Sequence, residues 1–216
     1  MLPGGWKSGG TVALPGESGG PSRFAACADH DTVSKTHEAA ARLAGSLPDS
    51  RVYQLSSSKK LDGSAAALGW CLGSYSFEAY KKPKTSSETT PSQLLWPEDC
   101  DRDATARAAC GTYLVRDLIS SPAEDMGPAS LEAATRALGD HYGAKVSSVV
   151  GDDLLEENYP MVHAVGRAAP NGREPRVVEL DWTPSQTEGE LPLVVLVGKG
   201  VTFDTGGLDI KPPAAM

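Results

Sequence analysis

The stretch Leu193–Met216, LVVLVGKGVTFDTGGLDIKPPAAM, joins an apolar run to a charged, glycine-rich turn. Its first five residues, Leu193–Val197, are all apolar and include three β-branched valines. This pattern predicts a strand that is covered on both faces, as in the parallel sheet of an α/β domain. Such folds bind their ligands at the carboxyl ends of strands. We therefore expect Lys199, Asp204 and Lys211, which follow the run, to line a reactive site.

Four glycines are expected to shape this turn: Gly198, Gly200, Gly206 and Gly207. Glycine has no Cβ, so the backbone can take a positive φ or approach a ligand closely. In this prediction the glycines form the loop and the charged residues supply its chemistry.

Three interpretations of the turn compete. In the first, Lys199 and Asp204 form an ordinary surface salt bridge. The second, a phosphate-binding loop, fails because that motif needs Gly five residues before Gly198 and Ser or Thr after Lys199, where this chain has Leu193 and Gly200. The third is a metal site with a lysine amine as a ligand, which requires the amine to lose its proton.

The segment VGKGVTFDTGGLDIKP, Val197–Pro212, resembles the first signature of the leucyl (cytosol) aminopeptidase family, two-metal exopeptidases that remove the N-terminal residue of peptides. The resemblance implies that Lys199 ligates one metal, that Asp204 ligates or bridges the metal pair, and that Lys211 polarises the scissile carbonyl. It also implies two divalent ions (Mn, Zn or Mg), peptide substrates with a free N-terminus, and a homohexamer.

Weaker resemblance to the same family extends upstream. It covers RDLISSPAEDMGP (Arg116–Pro128), NYPMVHAVGRAA (Asn158–Ala169) and AALGWCLGSYSFEAYKK (Ala66–Lys82), the last being similar to the bacterial-type branch. The family's further metal ligands, an Asp and then an Asp and a Glu in a second signature, have no counterpart up to Met216. We therefore expect a catalytic domain cut short within its first metal signature. The alternative is an inactive fragment that acts as a binding or assembly protein.

Composition excludes several other classes. The formal net charge is −8 and no basic run occurs, which argues against nucleic acid or an anionic membrane as partner. No apolar stretch reaches transmembrane length. The four cysteines show no zinc-finger spacing, so we expect reduced thiols and a cytoplasmic protein, with an organellar leader as the alternative.

Alternating helical and strand patterns predict an α/β fold in two parts. We expect a flexible Gly/Pro-rich lead (1–22), a small amino-terminal α/β domain (23–82), a linker (83–100) and the start of a layered α/β catalytic domain (101–216). Helices are predicted at 36–47, 65–75, 101–119, 129–142 and 152–157. Strands are predicted at 51–55, 146–150, 162–165, 176–180 and 193–197.

The histidines and the acidic cluster suggest no chemistry. None of the four histidines has a partner at metal-site spacing. We expect His141 at a helix end, where it favours the dipole, and His163 on a strand in the core. The cluster at 152–157 lacks the spacing of a calcium loop, so a solvated helix face is expected.

Overall fold

The computed structural model describes residues 11–15, 21–26, 32–57, 60–82, 90–184, 191–204 and 209–215. The chain forms two compact units, residues 1–117 (unit 1) and 118–216 (unit 2). The elements in chain order are β1 (Thr11–Pro15), β2 (Pro21–Ala26), α1 (Val33–Ser46), β3 (Val52–Tyr53), α2 (Gly63–Gly73), β4 (Gln93–Leu94), α3 (Arg102–Ser120), α4 (Pro128–Tyr142), β5 (Lys145–Val150), α5 (Asp153–Glu156), α6 (Pro160–Gly166), β6 (Arg176–Asp181) and a 3₁₀ turn (Pro213–Ala215). This mixture of helices and strands confirms the predicted α/β class.

Two helices, α1 and α2, form the centre of unit 1, and their backbones lie in close contact. A Cβ added at Gly69 would overlap the backbone of His37, and one added at Gly73 would overlap that of Ala41. Glycines at i and i+4 lie on the same face of a helix, so one face of α2 has no side chain at these two positions. The two residues therefore permit the close contact.

The core of unit 1 forms around Trp70, which is 3% exposed. Its ring packs beside Tyr53, with ring centroids 5.7 Å apart, and Tyr53 in turn packs against Phe24 of β2 at 5.8 Å. The indole N–H donates to the carbonyl of Ser92 at 3.1 Å, and the Ser92 hydroxyl donates to the carbonyl of Ala44. These bonds satisfy the buried polar groups that join α1, α2 and the segment before β4.

Two sequence expectations for this unit need correction. The predicted lead contains a strand, since β1 pairs antiparallel with β2, Thr11 facing Ala26. Residues 90–100 of the predicted linker also belong to the packed unit, because Ser92 is buried against both helices and β4 pairs in parallel with β3. The compact units divide after Asp117. The polar composition of residues 83–100 suggested a linker, but contacts between residues far apart in the sequence cannot be predicted from composition.

The longest helix, α3, is held in unit 1 by hydrogen bonds to the end of α2. The Tyr113 hydroxyl donates to the carbonyl of Cys71, and the Arg116 guanidinium donates to that of Leu72 at 2.9 Å. The last carbonyls of a helix have no partner within that helix. Side chains of α3 thus complete the end of α2.

Unit 2 places α4 beside the antiparallel pair β5–β6. Pro128 is at the start of α4 and Gly143 ends it in the left-handed conformation, with φ of 68°. Both features were predicted, because proline suits the first helical turn and glycine adopts positive φ without strain. A Cβ at Gly139 would lie 2.5 Å from a methyl of Val146, so the helix also needs a glycine where it contacts β5.

A nearly buried ion-pair network joins α4 to both strands. The Glu132 carboxylate accepts from Ser148 at 2.8 Å, from Arg136 at 2.8 Å and from Arg176 at 2.6 Å. The hydrogen bond from Ser148, followed by that from Arg176, lowers the pKa of Glu132 from 4.5 to about 2. Glu132 therefore stays ionised although it is 9% exposed.

The segment 162–165, predicted as a strand, lies instead within helix α6. Pro160 occupies its first turn, a position that favours helix over strand. A four-residue apolar run does not distinguish the two structures by itself. His163 is accordingly on a helix, where its Nε2 lies 3.0 Å from a carboxylate oxygen of Asp152.

Within the described ranges, none of the helices combines the length and apolar character needed to cross a bilayer.

Candidate metal and peptidase site

The run Leu193–Val197, predicted as a buried strand, is an exposed coil in unit 2. Its five side chains are 70% to 93% exposed. A strand forms only when its backbone groups find partners on a neighbouring strand. In the part of unit 2 that the structure describes, β5 and β6 pair with each other and not with this run. The prediction of a strand covered on both faces is thus wrong for this chain by itself.

Gly198 and Gly200, the first two glycines of the turn, differ in how closely other atoms approach them. Gly198 has no atom within 4 Å of an added Cβ, whereas a Cβ at Gly200 would lie 2.9 Å from a methyl of Leu131. Neither is among the described glycines with positive φ. Gly206 and Gly207 lie outside the described residues. The contact at Gly200 is with the end of a flexible side chain, so the loop-shaping roles of Gly198 and Gly200 both stay predictions.

The turn brings two of its charged residues together. The Lys211 ammonium donates to an Asp204 carboxylate oxygen at 2.6 Å. The two side chains are 37% and 51% exposed. A charge-assisted bond of this length fixes both groups more firmly than a neutral one. The salt bridge that sequence suggested between Lys199 and Asp204 is replaced here by one between Lys211 and Asp204.

Lys199 lies in the exposed coil between Gly198 and Gly200. Among the described residues its amine has no hydrogen-bond or ion-pair partner, and the residue is exposed, so the amine is accessible to a ligand from solvent. Its roles as a metal ligand, and those of Asp204 and Lys211 at the site, stay predictions.

The donors at the turn fit part of a metal site. A carboxylate oxygen and an unprotonated amine both bind divalent transition metals. However, among the described residues no group of three or more His, Cys, Asp or Glu side chains is placed to hold an ion. The described part of the turn thus offers two potential donors, Lys199 and Asp204, which is fewer than a metal ion needs.

The other sequence candidates lie outside the turn. His141 lies in the last turn of α4, as predicted, and stacks edge-on against Tyr142. The acidic cluster falls on the short helix α5, also as predicted. Among the cysteines, Cys71, Cys100 and Cys110 form no disulfide within the described residues, Cys27 lies outside them, and the reduced state stays a prediction.

Sequence reasoning missed the network around Glu132. The spacing of Glu132 and Arg136, four residues apart on one helix, is visible in the sequence and is typical of a helical ion pair. Nothing local indicates that Arg176, 44 residues away, completes the network. The residues that line a pocket in unit 1 were missed for the same reason.

Comparisons with known proteins agree with the sequence resemblance. Residues 113–216 match the cytosol aminopeptidase family, catalytic domain. A probable cytosol aminopeptidase of Oleidesulfovibrio alaskensis is 37% identical over 66% of this chain, and one of Rhodococcus erythropolis is 33% identical over 87%. A peptidase B of Pectobacterium carotovorum is 35% identical over 73% of the chain.

Solved structures lead to the same family. The cytosol aminopeptidase of Coxiella burnetii superposes with a TM-score of 0.78 at 34% identity, covering 96% of this chain and 42% of its own. The bottromycin maturation enzyme BotP, in complex with Mn, gives a TM-score of 0.75 at 29% identity, covering 96% of this chain and 46% of its own.

The chain spans between 29% and 38% of the length of these three curated relatives. Similarity nevertheless extends across both units, and the catalytic-domain match includes the turn with Lys199, Asp204 and Lys211. The chain therefore belongs to the cytosol aminopeptidase family and carries part of its catalytic domain.

Proposed function

We propose that this chain is part of a metal-dependent aminopeptidase that removes a leucine-type residue from the N-terminus of peptides. The observation that carries the proposal is the catalytic-domain match over 113–216, which contains the Lys199, Asp204 and Lys211 turn. The names of its relatives, cytosol aminopeptidase and peptidase B, support a peptide substrate.

Lys199 and Asp204 are the proposed metal ligands. An ammonium has no lone pair, so Lys199 has to release its proton before it binds a cation, whereas Asp204 offers carboxylate oxygens directly. When bound, a divalent pair supplies Lewis acidity and activates water at neutral pH. The Mn complex of BotP supports Mn among the candidate metals; two ions, and the choice among Mn, Zn and Mg, are part of the proposal.

Lys211 is the proposed catalytic lysine. Its ammonium is already held 2.6 Å from Asp204, which limits the positions the cation can take. A fixed positive charge stabilises the negative charge that develops on a carbonyl oxygen when the carbonyl is attacked. Lys211 would thus keep its proton and polarise the scissile carbonyl.

The remaining features of the proposal come from family membership. They are a cytoplasmic location, assembly into a homohexamer and an amino-terminal α/β domain that precedes the catalytic domain. The relatives' names support the location, and the two compact units are compatible with two domains.

Hydrolysis of leucine amide in the presence of Mn²⁺ tests this function directly. We expect Lys211→Ala to lower kcat about 100-fold or more, since removing one oxyanion-stabilising group costs that much elsewhere. Lys145→Ala, which removes an exposed lysine at the start of β5, is the matched control and should leave the rate unchanged. If the unaltered chain hydrolyses leucine amide, equal rates for both variants would refute the role of Lys211.

Mn²⁺ binding, followed by electron paramagnetic resonance, tests the ligands without relying on turnover. Asp204→Asn and Lys199→Met should each weaken binding, while Asp140→Asn on α4 should not. A folded chain with neither turnover nor Mn²⁺ binding would favour the second candidate, an inactive protein that binds or assembles with others. The incomplete ligand set among the described residues is the observation that keeps this candidate open.

A further inference from the structure

Unit 1 contains an open pocket that no part of the proposed reaction uses. It lies where β3 and β4 end, and its volume is about 670 Å³, within the usual range for ligand sites. The residues that follow the two strands line it, together with the first residue of α3. The carboxyl ends of parallel strands are the common position of ligand sites in α/β folds.

The pocket presents an apolar surface to solvent. Trp96 is 41% exposed and Leu95 is 53% exposed, and both line the pocket beside Leu55 and Leu61. An indole beside leucines offers a large contact area for an aliphatic or aromatic side chain.

Opposite charges also line this pocket. Glu98 contributes a carboxylate and Arg102 a guanidinium, and neither takes part in any of the ion pairs among the described residues. Asp99 is used differently, because its carboxylate accepts from the N–H of Gly63 at the start of α2. The pocket is therefore lined by two carboxylates and one guanidinium, and Glu98 is the carboxylate that has no hydrogen-bond donor from the chain among the described residues.

Arg102 occupies a position that helix stability disfavours. It is the first residue of the 19-residue helix α3, where the partial positive charge of the helix dipole repels a cation. Asp101 already satisfies a free backbone group there by accepting from the N–H of Ala104 at 3.0 Å. A residue that opposes local stability is a candidate for a functional role.

We propose that this pocket binds a short zwitterionic peptide, such as a dipeptide with apolar side chains. Arg102 would bind its carboxylate, Glu98 its ammonium, and Trp96 with Leu95 its side chains. A simple anion would leave the apolar surface and Glu98 unused, and a neutral apolar ligand would leave both charges without partners. The proposal does not depend on the metal ligands in unit 2.

Calorimetric titration of the whole chain with L-leucyl-L-leucine, in a buffer with a metal chelator, tests the proposal. We expect saturable binding that Arg102→Gln weakens about tenfold, since one charge-assisted hydrogen bond is lost. Glu98→Gln should weaken binding similarly. Arg107→Gln, an exposed arginine on α3 outside the pocket, is the matched control and should leave the affinity unchanged.

Peptides that lack one terminal charge test the contact with Glu98 and the contact with Arg102 separately. N-acetyl-leucyl-leucine lacks the ammonium, so its affinity should be insensitive to Glu98→Gln but still sensitive to Arg102→Gln. Leucyl-leucine amide should show the opposite pattern. Because Arg102 opposes the helix dipole, Arg102→Gln should melt at the same temperature as the unaltered chain or higher, so that lost binding is not a consequence of unfolding.

Three results would overturn the proposal: no saturable binding of leucyl-leucine, equal affinities for Arg102→Gln and Arg107→Gln, or loss of binding in Asp204→Asn. The last would place the peptide at the proposed peptidase site, and would leave that function intact while removing the second site.

Discussion

Two apolar segments without charged residues, α2 in unit 1 and Leu193–Val197 in unit 2, end in opposite environments. Most of α2 is buried, including Trp70, while every side chain of Leu193–Val197 is largely exposed. The difference lies in what surrounds each segment. Helix α1 and Ser92 cover α2, whereas the described part of unit 2 provides no neighbouring strand for the run. An apolar sequence therefore shows that a segment can be buried, but the segment is buried only where another element packs against it.

Truncating one side chain in each segment tests this contrast, and the larger of the two effects is the largest that we expect. Trp70→Ala should destabilise unit 1 by about 3–5 kcal/mol, because it removes a buried ring and leaves a cavity. Leu196→Ala should change stability by less than about 0.5 kcal/mol, because its side chain is already in solvent. Urea unfolding followed by circular dichroism measures both. Comparable losses for the two variants would show that Leu193–Val197 is buried in solution.

The stability of unit 2 should depend on its ion-pair network much as the stability of unit 1 depends on its apolar core. Glu132→Gln should cost about 3 kcal/mol, because the nearly buried Arg176 loses its partner at 2.6 Å and keeps only the more exposed Glu174 carboxylate at 3.7 Å. The matched control is Glu38→Gln, which breaks the exposed pair with Arg42 on α1 and should cost about 0.3–0.5 kcal/mol. Chemical unfolding of both variants provides the measurement.

The same network predicts a dependence on pH. Because the pKa of Glu132 is lower in the folded state, at about 2, than its ordinary value of 4.5, its contribution is complete above pH 4.5. That contribution is lost as the pH falls from 4.5 towards 2. Glu132→Gln should flatten the acid side of the stability curve of unit 2; an unchanged slope would contradict the assigned pKa.

The smallest expected effect concerns the contact between α1 and α2. Gly69→Ala should destabilise unit 1 by about 1–3 kcal/mol, because the new methyl group overlaps the backbone of His37. Gly111→Ala in α3 is the control, since its Cβ meets nothing within 4 Å. That substitution should stabilise by about 0.5–1 kcal/mol through helix propensity. Thermal melts compare them, and stabilisation by both would mean that the helices are further apart than described.

Most helices could be predicted from sequence because their signals are local. The repeat of apolar residues located α1 to α4, and the ends of α4 followed from Pro128 and Gly143. Short segments gave mixed results: the strands predicted at 146–150 and 176–180 are present, but Val162–Val165 lies in a helix and the strand predicted at 51–55 is reduced to Val52–Tyr53. Such segments take their structure from their neighbours more than from their own sequence.

The candidate site shows the same limit. A specific spacing of Lys, Asp and Gly was enough to recognise the family, because chemistry constrains those residue types. The ion pair between Lys211 and Asp204, the exposed state of Leu193–Val197 and the pocket beside Trp96 depend on three-dimensional neighbours. No periodicity in the sequence reports them.

The parallel pairing of β3 with β4 also constrains the order in which unit 1 acquires its structure. Val52 pairs with Gln93, so a long loop that contains α2 has to close before the ladder forms. The entropy lost in closing that loop slows nucleation, whereas each helix can form from nearby residues alone. We expect refolding of unit 1 to be limited by this closure, with the two strands joining after α1 and α2 have docked.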